Sequence, residues 1–173
     1  MALLRVALLL LAALAGLAHA GDPPSLRIGY QKGSISLVLA KQHQLLEQRF
    51  PNTQVQWLEF PAGPQMLEAL HIGSLDIGAT GDLPPIFAQV AGADLLYIGA
   101  EPAKPQAEVI LVPNGSPITQ VAGLKGKRIA LQKGSSAHNL VLRALAKAGL
   151  SIRDVQWVFL APADARAAFE RGS

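Results

Sequence analysis

Beyond residue 20, short apolar runs alternate with stretches of helical spacing, the rhythm of an α/β fold with a largely parallel sheet. Leu26 to Tyr30 predicts a first strand, and Ser34 to Phe50 a helix whose Leu39, Leu46 and Phe50 fall near one face. Pro51-Asn52 ends it. Val55 to Phe60 predicts a second strand, and Pro64 to Ile72 a helix opened by proline and closed by Gly73. Leu75 to Ala79 reads as a third strand, followed by the turn Thr80-Gly81-Asp82 and a helix with Pro84-Pro85 in its first turn and Gly92 past its end. Leu95 to Ala100 and Glu108 to Val112 read as further strands, separated by the stiff Glu101-Pro102-Ala103-Lys104-Pro105. After the turn cluster Asn114 to Pro117 come a strand at Arg128 to Leu131 and a helix striped by Ala137, Val141, Ala144, Leu145 and Ala148. Ser135 or Ser136 caps that helix and Gly149 closes it. Val155 to Leu160 and Ala163 to Arg171 complete the pattern as strand and helix.

This rhythm divides the chain into a first lobe at residues 22–105, a hinge strand or linker at 106–113, and a second lobe at 114–173. The second lobe offers only two core strands, fewer than a stable parallel layer wants, so it reads as incomplete and the chain as a piece of a longer protein.

Residues 1–20 stand apart. Arg5 precedes an apolar run from Val6 to Ala18, and Ala18-His19-Ala20 has the small-x-small form of a cleavage site, so the segment reads as a secretory signal rather than a span. The net charge of +3 becomes +2 when Arg5 leaves with it, and no basic tract points to nucleic acid. With no cysteine there is neither a disulfide framework nor a lipoprotein anchor point, which places the protein in the periplasm or the external medium.

Four letters occur twice in the same setting: Gln31-Lys32-Gly33-Ser34 and Gln132-Lys133-Gly134-Ser135 each follow a strand and open a helix. Such turns aim backbone N–H groups and the positive end of a helix dipole at whatever lies above them. In open α/β sheets ligands bind beside the strand ends, so these two turns and Thr80-Gly81-Asp82 are expected to cluster around one crevice. The plainer alternative is that serine and glycine simply start helices. One helix start contributes about 0.3 to 2 kcal/mol to anion binding, whereas a micromolar ligand needs about 8 kcal/mol, so two turns closing on one anion is the economical arrangement.

Competing chemistry is thinner. Ser135 or Ser136 with His138 could form a nucleophile and base, making an exported hydrolase or transferase, but no third orienting group and no G-x-S-x-G elbow accompany them. No histidine pair has metal-ligand spacing, and Gly123 to Lys127 is too short for a P-loop. Asp82 could hold a cationic group or cap its helix. Lys32 and Lys133 could add charge to an anion or point to solvent. Trp57 and Trp157 read as core.

The runs I-G-Y-Q-K-G-S at Ile28 to Ser34, G-S-L-D-I-G-A-T-G-D-L-P-P at Gly73 to Pro85, L-K-G-K at Leu124 to Lys127, Q-K-G-S-S-A-H-N at Gln132 to Asn139 and P-A-D-A-R-A-A-F at Pro162 to Phe169 resemble the aliphatic sulfonate-binding subunit of ABC importers, in the sulfonate, taurine and nitrate group. The resemblance implies a two-lobed type II periplasmic-binding-protein fold that works without catalysis, cofactor or metal and delivers its load to ABC permease subunits. It implies that the anionic head group of an alkanesulfonate is held by turns matching Gln31, Lys32, Gly33 and Ser34, then Thr80, Gly81 and Asp82, then Gly134, Ser135, Ser136 and His138. Taurine, nitrate and a thiamine precursor are the alternative ligands within the fold.

Overall fold

The first apolar run forms strand β1, Ser25–Tyr30, at the centre of a parallel three-stranded sheet in the computed structural model, which describes residues 21–172. The signal read at residues 1–20 lies outside the described residues. Strands β2, Gln54–Glu59, and β3, Ile77–Gly78, flank β1 in the order β2-β1-β3, with Ile28 opposite both Trp57 and Ile77. Gly29 lets α3, Gly63–His71, seat against the sheet: a Cβ there would lie 2.8 Å from Cγ of the fully buried Met66.

The helix expected from Ser34 to Phe50 is two helices, α1, Ile35–Gln42, and α2, Leu45–Arg49. Gln44 between them takes φ +52. This bend carries Glu47 to β2, where its Oε1 accepts from Trp57 Nε1 at 2.9 Å. The helix after Asp82 is α4, Leu83–Val90, and Gly92 beyond it adopts φ +92.

Two expected strands, Leu95 to Ala100 and Glu108 to Val112, are irregular chain, and the hinge strand read into 106–113 is absent among the described residues. A strand needs a neighbour to complete its hydrogen-bond ladder, and neither run has one here. Leu96 is 86% exposed and Leu111 71%. The expected third strand likewise shrinks to its two residues paired with β1.

A short 3₁₀ turn, Val121–Leu124, precedes the second sheet, in which β4, Arg128–Leu131, pairs in parallel with β5, Gln156–Phe159. Helix α5, Ser136–Lys147, lays Val141 and Leu145 onto Leu124, Ile129, Leu131 and Val155, the core of this half. Ala137, read as part of the same stripe, is exposed instead. Helix α6, Pro162–Glu170, follows β5.

A bidentate pair closes the base of the first sheet. The Arg27 guanidinium donates to Asp76 Oδ1 at 2.6 Å and Oδ2 at 3.0 Å, and the Arg27 amide donates to Oδ2 at 2.7 Å. These bonds, first of all the one from the guanidinium, hold the Asp76 carboxyl below its ordinary value of 3.8. A depressed carboxyl adds stability that is complete above the ordinary value and disappears as pH falls through the lowered one. Asp76→Asn is therefore expected to lower the melting temperature by several degrees near neutral pH. The gap between variant and parent should close in melts taken as the pH is brought well below 3.8.

Candidate functional site

Three turns leave the C-terminal ends of β1, β3 and β4, and two of them touch across the halves of the molecule. Gly81 lies so near α5 that a Cβ on it would meet Ser136 Cβ at 2.7 Å and Oγ at 2.8 Å. Asp82 Oδ2 accepts from Asn139 Nδ2 at 2.9 Å. Asp82 thus reaches across to α5; its side chain does not cap its own helix, where the sequence had left that role open. Gln31 Nε2 donates to Ala79 O at 3.2 Å, tying the turn after β1 to the turn after β3.

Gln31 and the turn after β4 border a cleft of about 290 Å³. Gln31, Pro61 and Ala62 form one wall; Ala130 to Gln132, Ser135 to Ala137, Pro162 and Ala165 form the other. The first-turn N–H groups of Ser136 and Ala137 have no intrahelical acceptor, and both residues face this space. A second, larger cleft of about 390 Å³ runs between α3, α4 and the Lys133-Gly134 turn. Its lining includes His71, Ala88 and Ala91, at and near the carbonyl ends of two helices, together with Pro64 and Pro84 of their first turns and the Lys133-Gly134 turn. The smaller cleft is the one that gathers residues from both copies of the repeated turn.

The eleven residues singled out in the sequence divide unequally. Gln31, Ser135 and Ser136 line the smaller cleft, and Gly81 and Asp82 brace it from the other side. Lys32, Gly33 and Ser34 are not in its walls: Lys32 Nζ lies 3.4 Å from Glu59 Oε1, and the Ser34 side chain makes no cap bond. Thr80 Oγ1 is buried without a hydrogen-bond partner, packed where a Cβ on Gly63 would come within 2.0 Å of it. Gly134 lines the larger cleft, and its φ of +77 is the left-handed conformation that glycine enters freely.

His138 stands behind the second turn. Its Nδ1 accepts from the Gly134 amide at 3.3 Å, and its ring sits edge-on to Trp157 and Phe159, with centroids 5.4 and 5.8 Å away. Burial lowers its pKa from the ordinary 6.5, and the nearby Lys133 ammonium lowers it further, so the imidazole is neutral at pH 7 with its proton on Nε2. Ser135 caps α5, its Oγ accepting from the His138 amide at 3.4 Å while donating to Gln132 O at 2.7 Å. Ser136 Oγ donates to Glu108 Oε1. Each hydroxyl is thus bonded elsewhere, and the described residues contain no hydrogen bond between either serine and the imidazole.

Sequence reasoning passed over Gln132, Ala137, Asn139 and Glu108. Gln132 was visible as the first letter of the repeat. Asn139 and Glu108 act through partners 57 and 28 positions away, and no local pattern announces them.

The model of the family described as the periplasmic substrate-binding protein of phosphonate ABC transporters matches residues 46–169. The chain is 66% identical over 152 residues to a putative aliphatic sulfonates-binding protein of Escherichia coli K12, covering 88% of this chain and 48% of that protein. A Bacillus subtilis protein of the same description is 38% identical, with 86% and 45% covered. The solved structure of the alkanesulfonate-binding protein of Xanthomonas axonopodis pv. citri bound to MOPS superposes with a TM-score of 0.85 at 67% identity, over 88% of this chain and 53% of that one. The chain thus spans about half the length of these relatives.

Proposed function

We propose a function from one premise: this chain belongs to the family of periplasmic substrate-binding proteins of ABC transporters. It captures an alkanesulfonate in the 290 Å³ cleft and carries it toward a membrane permease, after export directed by residues 1–20. The observation that carries this reading is the pairing of Ser136 and Ala137, at the start of α5, with Gln31 across that cleft. A sulfonate is ionised throughout the physiological range and offers three acceptor oxygens, which suits unsatisfied amides and a glutamine side chain. The small apolar surfaces of Pro61, Ala62, Pro162 and Ala165 suit an alkyl chain beside the head group. The relatives named for aliphatic sulfonates favour this ligand class over phosphonates.

Calorimetric titration with the series from ethanesulfonate to octanesulfonate tests it, with sulfate, nitrate and taurine as controls. Each added methylene that becomes buried is worth about 0.8 kcal/mol, roughly fourfold in affinity, until the cleft is filled. Absence of heat with every sulfonate overturns the proposal.

A further inference from the structure

The irregular stretch between Gly99 and Pro113 sends one carboxylate to each of the two helix starts that follow the repeated turns. At α1, Ser36 Oγ donates to Glu101 Oε1 at 2.5 Å, and Lys104 pairs with the same glutamate. At α5, Ser136 Oγ donates to Glu108 Oε1. The two arrangements differ in one respect. Glu101 has a cation beside it, whereas among the described residues no Lys, Arg or His lies within ion-pair distance of Glu108.

Glu108 is exposed and stands outside the cleft's lining; the protein group that bonds its carboxylate is the hydroxyl of Ser136, a residue that itself lines the cleft at the positive end of α5. A carboxylate oxygen and a sulfonate oxygen ask the same thing of that hydroxyl. Two anions side by side on one helix start repel, so a ligand that settles there pushes the exposed carboxylate aside.

We propose that Glu108 is a specificity-determining residue of the cleft: its carboxylate stands on Ser136 in place of an anionic ligand, and an entering sulfonate must displace it. This rests on the function proposed above. The carboxylate acts as a threshold. A small anion with nothing but charge to offer exchanges like for like, whereas an alkyl chain adds burial that Glu108 cannot match.

The test is calorimetric titration of hexanesulfonate into the wild type, Glu108→Gln and Glu101→Gln, with thermal melts to confirm that each is folded. Glutamine keeps the shape and removes the charge. Glu108→Gln is expected to bind roughly tenfold tighter or better, the scale of one hydrogen bond to a charged group, and Glu101→Gln to be unchanged. Glu108→Asp, with its carboxylate drawn back by one methylene, should fall between. If the wild type binds and Glu108→Gln binds equally or more weakly, the stand-in role is wrong and the function survives. If only Glu108→Gln binds, the role is upheld in its strongest form. If neither binds, both readings fall.

Discussion

A valine at position 81 is expected to weaken alkanesulfonate binding at least 100-fold while both halves of the protein remain folded. Gly81 faces Ser136 so closely that a single added carbon would sit 2.7 Å from Ser136 Cβ, well inside van der Waals contact. Valine adds two methyl groups to that carbon. Ser136 cannot yield by changing rotamer, because the atom in the way is Cβ, fixed to the first turn of α5. The start of α5 must retreat, and with it the Asp82 to Asn139 bond and the Ser136 and Ala137 amides that face the cleft. Two hydrogen bonds to a charged ligand are worth about 1.5 to 3 kcal/mol each, which sets the scale of the loss. The buried Met66 and Leu145 at the centres of the two halves are not among the nearest atoms that a Cβ at position 81 would meet. Gly81→Val should therefore melt within a few degrees of the wild type in circular dichroism while giving no heat with hexanesulfonate. Unimpaired binding would mean that the two turns do not meet in solution. Gly81→Ala should give a smaller version of the same result.

Much of the scaffold was legible because its signals are local. The strand at Leu26 to Tyr30, the proline-opened helix ending before Gly73, and the helix from Ser136 to Lys147 each carry their own punctuation. What was not legible depends on partners. Leu95 to Ala100 and Glu108 to Val112 have the apolar content of strands, but such content records a need for burial and not the presence of a neighbouring strand. The break at Gln44 answers to a tryptophan on β2, and nothing in the helical spacing of residues 34–50 reports it.

The repeated turn is the most instructive case, since its two copies share letters and not geometry. Gly134 adopts φ +77, its amide bonds to His138, and Ser135 caps α5. Gly33 shows no such φ, Ser34 caps nothing with its side chain, and no histidine occupies the matching place, where Leu37 stands instead. Of the first copy only Gln31 reaches the cleft. Composition of a turn sets which conformations are accessible, and the residues behind it choose among them. The two copies are therefore unequal parts of the candidate site, with the second supplying the helix start and the first a single amide side chain.

That inequality makes position 137 the sharpest place to separate binding from folding. Ala137 is exposed, lines the cleft, and lies in the first turn of α5, whose start opens into the cleft with a serine cap; the first turn of α6 lines the same cleft with Pro162 and Ala165. Ala137→Asp puts a carboxylate where the helix dipole welcomes one, a gain of about 0.3 to 1 kcal/mol for the fold that repulsion from the exposed Glu108 on the same helix start partly offsets. The same carboxylate then competes for the amides a sulfonate would use. Two unit charges about 4 to 5 Å apart at an effective dielectric near 20 repel by about 3 to 4 kcal/mol, roughly 100- to 1,000-fold in affinity. The expected outcome is a variant that melts within a few degrees of the parent and has lost sulfonate binding, with Ala137→Asn retaining most of it. A structural defect moves both quantities down together, so affinity lost while stability holds shows an anion bound within reach of the carboxylate at position 137. Should Ala137→Asp bind as well as the parent, the head group lies elsewhere, and the assignment of this cleft fails with it.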